Sequence, residues 1–251
     1  LGGSIGCGKS WVAAIALCFD IYRATCLRNP QRFYGLADGS KIFFGVYSAT
    51  KEQSGAVGYD TIRTFIDACP YFTEKAPLDQ RVRKIAIFQK ERLILKTGSQ
   101  ELHALGLNLL SFFIDEVNFM AGVAKSNKNP DAIGQAETIF NAVTFRQKSR
   151  LMERGGGVPG ITILASSKTG PDSFLERRKK DAETSGEIER GEVVVTEFSV
   201  WEVKDKRFYT LPKFWVEIGD RVFPSKVLEA DTKEEAEQEA RTGAEILEVP
   251  G

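Results

Sequence analysis

Histidine is almost absent from the sequence: His103 is the only one among 251 residues. A single histidine excludes Ser-His-Asp or Cys-His catalysis unless another chain contributes, and it leaves little for a zinc site. The four cysteines, Cys7, Cys18, Cys26 and Cys69, form no Cys-x-x-Cys pair and have no metal-like spacing. Free thiols in an intracellular chain are therefore expected.

Long apolar runs and net charge are also missing. No uninterrupted apolar stretch approaches the roughly 20 residues that a membrane helix needs, so no membrane span is expected. Lys+Arg and Asp+Glu both total 34, so net charge gives no evidence of nucleic-acid binding. Basic residues gather at 81–96 and at 177–180, whereas 229–248 is mostly acidic. Such clusters are usually solvated faces, with a nucleic-acid contact as the alternative reading of the basic ones.

Apolar periodicity over the first 170 residues predicts alternating helices and strands. Helices are predicted at 10–27, 50–69 and 136–154, and buried strands at 41–49, 109–116 and 161–167. Two further strands, 83–89 and 91–97, are spaced as a hairpin. The run 109–116 is apolar and ends in two acids, which is typical of a central parallel strand in an α/β sheet.

The pattern changes towards the end of the chain. A charged helix is predicted at 174–187, antiparallel strands at 192–203 and 213–223, and an acidic helix at 231–247. We therefore expect a boundary near residue 198, with a core over 1–198 and an appended subdomain or linker over 199–251.

Residues 3–10, GSIGCGKS, fit the phosphate-loop pattern G-x-x-x-x-G-K-[ST] at every fixed position. Glycines allow backbone N–H groups to converge on phosphate oxygens, and the helix that follows presents its positive end. The candidate nucleotide-binding residues are Gly3, Ser4, Ile5, Gly6, Cys7, Gly8, Lys9 and Ser10. Lys9 would neutralise the β- and γ-phosphates, and the Ser10 hydroxyl would bind Mg²⁺. The alternative is a glycine turn that caps a helix.

A phosphate loop also predicts an acid at the end of a neighbouring buried strand, and FFIDE supplies Asp115 and Glu116. Asp115 would hold Mg²⁺ directly or through water, and Glu116 would orient and activate the attacking water. The separation of Lys9 and Asp115 leaves room for a complete strand–helix unit, which favours the additional-strand class of P-loop ATPases. The alternative for this stretch is a core strand that enters an acidic loop.

The strand predicted at 161–167 ends in two hydroxyl residues, Ser166 and Ser167. They are expected at the same sheet edge as Asp115, near the γ-phosphate, where they could report the nucleotide state to a moving part. A simple turn after a strand is the alternative.

The order of these motifs resembles the ATPase domain of the large terminase subunits of tailed bacteriophages, the motors that thread DNA into capsids. The resemblance lies in GGSIGCGKS, VYSATKEQ, LKTGSQ, HALGLNLLSFFIDEV and ILASSKTGPDSFLERR, and it spans roughly 1–180. It implies an α/β fold of the additional-strand (RecA-like) P-loop type. In that fold a mostly parallel sheet is flanked by helices, here with a small appended subdomain.

The same resemblance implies a function: hydrolysis of ATP with Mg²⁺ that drives double-stranded DNA into a viral capsid. It implies a homo-oligomeric ring, contacts with a portal and a small terminase subunit, and a location in the host cytoplasm. Lys9 and Ser10 then match the family's phosphate-loop residues, and Asp115 and Glu116 its acid pair. Its coupling motif falls on Ser166 and Ser167, with Lys168 where the pattern varies. Ser48 and Thr50 match a loop suited to contact with DNA or phosphate.

Two features depart from the family pattern. Many members place an arginine inside the phosphate loop, where this chain has Ser4 and Ile5, and many have one before the glycine where this chain has Leu105-Gly106. The arginine that completes the transition state is therefore unassigned, with Arg92, Arg146 and Arg150 as equal candidates. The loop is expected to bind ATP and to need help to hydrolyse it.

The second departure concerns the metal-dependent nuclease domain that family members carry after the ATPase. No third carboxylate cluster follows the predicted boundary, so the full-length protein is expected to be an endonuclease as well, with the nuclease beyond this chain. The strand before the phosphate loop is likewise expected upstream of Leu1. Two other functions stay open: a fragment of a superfamily 1 or 2 helicase, and a nucleotide-dependent switch with little hydrolysis.

Overall fold

The computed structural model describes residues 1–78, 85–89, 92–99, 106–120, 134–151, 159–170, 172–205, 207, 213–219 and 223–249. The chain forms two compact units: Leu1 with Gly8–Ser167, and Gly2–Cys7 with Lys168–Gly251.

The strands, in chain order, are β1 (Gly2–Gly3), β2 (Ile42–Tyr47), β3 (Ala86–Phe88), β4 (Leu93–Gly98), β5 (Asn108–Asp115), β6 (Thr162–Ala165), β7 (Glu197–Phe198), β8 (Phe214–Glu217), β9 (Lys226–Leu228) and β10 (Ile246–Val249). The helices are α1 (Lys9–Thr25), α2 (Pro30–Phe33), α3 (Lys51–Gln53), α4 (Asp60–Ala68), α5 (Pro70–Glu74), α6 (Gln135–Arg150), α7 (Phe174–Thr184), α8 (Val200–Val203) and α9 (Lys233–Glu239). A π-helical segment, Ser54–Tyr59, joins α3 to α4, and a 3₁₀ turn, Val117–Phe119, follows β5.

The first unit is built on a five-stranded sheet in the order β3-β4-β2-β5-β6. β2 pairs in parallel with β4 and β5, and β5 pairs in parallel with β6, whereas β3 and β4 are antiparallel. The carboxyl ends of β4, β2, β5 and β6 therefore lie along one edge of the sheet, which we call the carboxyl edge. The sequence-predicted fold class, a mostly parallel sheet flanked by helices, is confirmed, and so is the hairpin.

The core of this unit is explained by apolar runs in the strands and by the spacing of small and aliphatic residues in α1. Phe44 of β2 and Phe112 and Phe113 of β5 are fully buried. Successive residues of a strand point to opposite faces, so a strand that is apolar throughout has both faces covered. In α1 the buried residues Leu17 and Ile21 recur at helical spacing and join the same core. Each such side chain contributes about 1.5–3 kcal/mol by burial.

One buried side chain of α6 joins the two strands at the edge opposite the carboxyl edge, which we call the amino edge. The amide nitrogen Nε2 of Gln147 donates to the carbonyl oxygens of Leu110 (2.7 Å) and Pro159 (2.9 Å). Its Oε1 accepts a hydrogen bond from Oγ1 of Thr162 at 3.2 Å. The amino ends of β5 and β6 are thus held by a single satisfied amide.

The second unit contains two smaller sheets. β1 and β7 form a parallel pair, with Gly2 opposite Glu197 and Gly3 opposite Phe198. β10, β8 and β9 form an antiparallel sheet in that order. The antiparallel arrangement predicted near 213–223 is therefore found, in the shorter strand β8.

The sequence-based prediction of antiparallel strands over 192–203 is wrong. Within this stretch only β7 is extended, and its partner β1 runs parallel to it. From Val200 the chain is helical, because Ser199 and Glu202 form a capping box: each side chain meets the other residue's backbone N–H. The local capping chemistry outweighs the β-branched residues of this stretch.

The acidic helix predicted over 231–247 is shorter than expected. α9 begins with a capping box between Thr232 and Glu235 and ends at Glu239. Gly243 then adopts a positive φ of 81°, and β10 follows. The glycine takes a conformation that a continuing helix does not use, so the chain can turn back into the antiparallel sheet. No helix in the described part of either unit is long and apolar enough to cross a bilayer.

Candidate functional site

Helix α1 begins where the phosphate-loop sequence ends. Its first residue is Lys9, and the residue before it, Gly8, has φ 85° and ψ 13° in the left-handed region. Glycine reaches this conformation without the cost that a Cβ would bring, which explains the second fixed glycine of the motif. Lys9 is buried, and its Nζ donates a hydrogen bond of 3.1 Å to Oγ of Ser167.

The hydroxyl of Ser10 faces the acid at the end of β5. Ser10 Oγ lies 3.0 Å from both Oδ1 and Oδ2 of Asp115. The first turn of α1 and the carboxyl edge are therefore in direct contact, although 105 residues separate the two side chains. This is the pair that the sequence assigned to Mg²⁺.

Asp115 is buried, and its environment disfavours the charged form. Burial raises the pKa of its carboxyl to about 6, and the hydrogen bond from Ser10 works in the opposite direction. A buried carboxylate beside a hydroxyl is a hard-oxygen donor set of the kind that suits Mg²⁺, which keeps several waters and takes one or two protein carboxylates. Among the described residues, no three His, Cys, Asp or Glu side chains group as a metal site. Ser10 and Asp115 would therefore share the ion with phosphate oxygens and water.

Glu116 has an unusual backbone. Its φ of 52° and ψ of 44° lie in the left-handed region, which a non-glycine residue enters at a cost of about 1–3 kcal/mol. Its N–H donates to Asp115 Oδ1 at 3.1 Å, and its carbonyl oxygen accepts from Phe119 N at 2.9 Å. The strained residue is therefore held on both sides, and its partly exposed side chain turns away from the strand direction at the carboxyl edge.

Ser166 and Ser167 follow β6, whose Ala165 stands opposite Asp115. Oγ of Ser166 lies 3.5 Å from Glu116 Oε2, the outer limit of a hydrogen bond. Ser167 Oγ accepts from Lys9. The structure thus brings together the residues that the sequence predicted for phosphate, magnesium, water and coupling in the first unit: Lys9, Ser10, Asp115, Glu116, Ser166 and Ser167.

Asn118 belongs to the same site, and the sequence reasoning missed it. Its backbone N–H donates to Ser166 Oγ at 3.1 Å, and its side-chain Nδ2 donates to the carbonyl oxygen of Ser167 at 2.9 Å. The available signal was its position three residues after Asp115, where a polar side chain directly follows a buried strand.

The predicted loop after β2 is also at the carboxyl edge. Ser48 is buried, and its backbone N–H donates to the carbonyl oxygen of Gly98 at 3.3 Å. Thr50 is exposed, and its Oγ1 accepts from the N–H of Gln53 at 3.1 Å, which caps α3. Contact of either hydroxyl with DNA or phosphate stays a prediction.

The three candidate arginines lie at the other end of the sheet. Arg92 directly precedes β4, and its carbonyl oxygen accepts from the N–H of Ile42, the first residue of β2. Arg146 and Arg150 flank Gln147, whose amide holds Leu110 at the amino edge. Leu110 is five residues before Asp115, about 16 Å at the rise of a β-strand. These arginines therefore cannot reach the site of their own chain.

The first part of the phosphate-loop sequence lies in the second unit. There the N–H of Ser4 donates to the carbonyl oxygen of Phe198 at 3.0 Å. Gly3 has φ 134°, and a Cβ built on it would stand 2.0 Å from that oxygen, so only glycine fits. Ile5 is largely exposed, whereas Cys7 is buried.

Acidic partners partly neutralise the basic cluster at 177–180. Arg178 forms an ion pair of 2.5 Å with Glu187, and Lys179 one of 3.1 Å with Glu197. This half of the cluster is therefore less available to a phosphate backbone than the sequence indicates. Most of the other basic cluster, including Arg81, Arg83, Lys84 and Lys90, lies outside the described residues.

Comparison with known proteins gave one family and several structures. The family described as "Uncharacterized protein MJ0330, N-terminal P-loop domain" matches residues 3–207. A search of curated proteins gave no match.

Three large terminases are among the similar solved structures. The large terminase from a thermophilic bacteriophage is 13% identical, with a TM-score of 0.48, over 79% of this chain and 39% of its own. The values for the HK97 bacteriophage large terminase are 16%, 0.44, 74% and 33%. Those for the Thermus phage P74-26 large terminase ATPase domain are 13%, 0.38, 73% and 80%. The chain thus spans less than half the length of the first two proteins.

Proposed function

The chain belongs to the family of the N-terminal P-loop domain of the uncharacterized protein MJ0330, and from this we propose that it is a magnesium-dependent ATPase. The observation that carries the proposal is the contact of Ser10 Oγ with both carboxylate oxygens of Asp115. A hydroxyl at the end of a phosphate loop and a buried acid at the end of a parallel strand are the pair that P-loop NTPases use for Mg²⁺.

The nucleotide would be held by the phosphate-loop sequence over residues 3–10. Backbone N–H groups and the positive end of α1 would face the phosphate oxygens, and Lys9 would supply a formal positive charge. Mg²⁺, when bound by Ser10 and Asp115, would bridge phosphate oxygens and neutralise charge that develops in the transition state.

Glu116 would act on the attacking water. Its carboxylate would orient the water and accept a proton as the water oxygen attacks the γ-phosphorus and the bond to the β-phosphate oxygen breaks, which gives ADP and inorganic phosphate. Two observations support this role. Glu116 follows the proposed metal ligand directly, and its strained backbone is of the kind that persists at functional sites.

We further propose that the hydrolysis drives double-stranded DNA into a viral capsid. This step rests on the resemblance of the sequence motifs to large terminase subunits, including Ser166 and Ser167 as the coupling segment. A ring of copies, a portal, a small terminase subunit, a nuclease elsewhere in the full-length protein and a location in the host cytoplasm belong to the same proposal.

A nucleotide-dependent switch with little hydrolysis is the second candidate, and one observation favours it. Arg92, Arg146 and Arg150 all lie at the amino edge, so an isolated copy has none of these arginines at the site. An arginine finger raises hydrolysis by about 10³–10⁵-fold, and a chain without one would turn over slowly.

The test is ATP hydrolysis by the purified chain with Mg²⁺, with and without linear double-stranded DNA, in multiple- and single-turnover experiments. Glu116→Gln should keep its affinity for ATP and lose activity by about 100-fold or more. Glu74→Gln is the matched control, because Glu74 is exposed at the end of α5, and it should match the unmodified chain. Equal turnover of Glu116→Gln and the unmodified chain would remove Glu116 from the mechanism, and binding of ATP without hydrolysis would favour the switch.

A further inference from the structure

A closed series of hydrogen bonds passes through Asn118. From Lys9 it runs to the hydroxyl of Ser167, and from the Ser167 carbonyl to the Asn118 side chain. The Asn118 N–H leads to the hydroxyl of Ser166, which faces Glu116. The Glu116 N–H returns through Asp115 to Ser10, the residue next to Lys9. The participants are Lys9, Ser10, Asp115, Glu116, Asn118, Ser166 and Ser167.

We propose that Asn118 is a positioning residue of the ATPase site, which holds the Ser166–Ser167 segment so that Ser166 orients the carboxylate of Glu116. This inference rests on the proposed ATPase function. Asn118 acts through its neighbours, and no contact of its own with the nucleotide is required.

The donor and acceptor properties of the groups fix the direction of each bond. The Asn118 N–H can only donate, so Ser166 Oγ accepts from it and keeps its own hydrogen for an acceptor. The nearest acceptor that the structure gives it is Glu116 Oε2, at 3.5 Å. The serine hydroxyl is thereby aimed at the carboxylate.

The side-chain amide of Asn118 fixes the second serine. Nδ2 donates to the carbonyl oxygen of Ser167, and this determines where the Ser167 hydroxyl meets Lys9. Ser166 is fully buried and Ser167 nearly so, so a carbonyl without its donor there carries a cost of about 1–3 kcal/mol. Loss of the amide would therefore release the segment that sits between Lys9 and Glu116.

This arrangement connects the phosphate end of the site to the water end. Lys9 carries the charge that meets the phosphates, and Glu116 carries the proposed base. The Ser166–Ser167 segment, fastened by one asparagine, is the path of direct hydrogen bonds between these two side chains that does not pass through Asp115. A change in the position of the Lys9 ammonium would reach Glu116 through Asn118.

The experiment compares Asn118→Ala, Ser166→Ala and the double variant with the unmodified chain in steady-state ATP hydrolysis. Asn141→Ala is the matched control, because Asn141 is exposed on α6, away from the site. Affinity for a fluorescent ATP analogue and the midpoint of thermal unfolding are measured for each protein. Glu116→Gln is included as the reference for loss of the proposed base.

We expect Asn118→Ala to lower kcat by about 10–100-fold, the range for a displaced catalytic group, while KM and analogue affinity change less than about twofold. Asn141→Ala should match the unmodified chain. Because both residues act on Glu116 along one path, the double variant should be no more than about twofold slower than the slower single variant. A merely structural asparagine would lower kcat only together with the unfolding midpoint or the affinity.

The outcomes separate the two proposals. If the unmodified chain hydrolyses ATP, Glu116→Gln does not, and Asn118→Ala retains kcat, the positioning role is overturned and the ATPase assignment stands. Multiplicative effects in the double variant would also overturn the shared path. If the unmodified chain fails to hydrolyse ATP with Mg²⁺ and DNA present, the proposed function falls and the role of Asn118 falls with it.

Discussion

The ammonium of Lys9 donates to the hydroxyl of Ser167, a residue 158 positions further along the chain, at 3.1 Å. Both residues are buried. A desolvated ammonium is costly unless it is hydrogen-bonded, so this contact stabilises the start of α1 against the end of β6. The same ammonium is the group that the phosphate loop offers to a nucleotide.

Ser167→Ala should therefore destabilise the protein in the absence of nucleotide. Hydrogen bonds to charged groups contribute about 1.5–3 kcal/mol, so the free energy of unfolding should fall by about that amount. Urea unfolding measures it, with Ser149→Ala, exposed on α6, as the control that should change little. ATP should restore more stability to Ser167→Ala than to the unmodified chain, because phosphate oxygens replace the lost acceptor. An equal gain for both proteins would contradict this explanation.

Asp115→Asn should stabilise the metal-free, nucleotide-free protein at neutral pH. Burial raises the pKa of Asp115 from 3.8 to about 6 in the folded state, so the folded protein binds a proton more tightly than the unfolded chain. The associated stability is present below about pH 4, is lost as pH rises to about 6, and stays lost above it. A shift of about two pKa units corresponds to about 2–3 kcal/mol.

The measurement is urea unfolding of both proteins in EDTA at pH 7.5 and at pH 4. The asparagine keeps an oxygen for Ser10, so the variant should be more stable at pH 7.5, and the difference should shrink at pH 4. A constant difference at both pH values would show that the ionisation of Asp115 is not its cause.

Glu116→Gly and Glu116→Ala should differ in stability although both lose the carboxylate. The backbone at Glu116 is left-handed, and glycine adopts that conformation without strain, whereas alanine does not. We expect the glycine variant to be about 1 kcal/mol more stable than the alanine variant. Equilibrium unfolding measures the difference. Identical stabilities would mean that the left-handed backbone at this position is not retained in solution.

Gly3→Ala should be far more damaging than Gly39→Ala. A Cβ at Gly3 would stand 2.0 Å from the carbonyl oxygen of Phe198, whereas one at Gly39 meets nothing within 4 Å. The first substitution should cost about 2–4 kcal/mol, because the strand pair β1–β7 must separate or shift, and the second should be close to neutral. Thermal unfolding of both variants is the check, and a neutral Gly3→Ala would show that β1 and β7 do not pair.

The sequence predicted the sheet of the first unit well for a physical reason. Apolar runs such as that of β5 must be covered on both faces, and only a parallel sheet flanked by helices does this for several such runs. The juxtaposition of Ser10 and Asp115 followed from the chemistry of phosphate and magnesium, which requires a hydroxyl and an acid at one place.

The prediction failed where a local or a long-range contact decided the outcome. At 192–203 the β-branched residues indicated strands, but the Ser199–Glu202 capping box begins a helix there. Asn118 was missed because its partners, Ser166 and Ser167, are nearly 50 residues away and no spacing rule connects them. The arginine candidates were indistinguishable in sequence, and only the strand directions place them at the amino edge.

The amide of Gln147 has a consequence for how the Ser166–Ser167 segment can move. Its bonds to Leu110, Pro159 and Thr162 fix β6 against β5 at one end only. A slide of β6 by one residue would turn every side chain of the strand to the opposite face and would break all three bonds. Displacement of the two serines is thereby restricted to a pivot about the Gln147 end, which carries the far end of the strand sideways while its register with β5 is preserved.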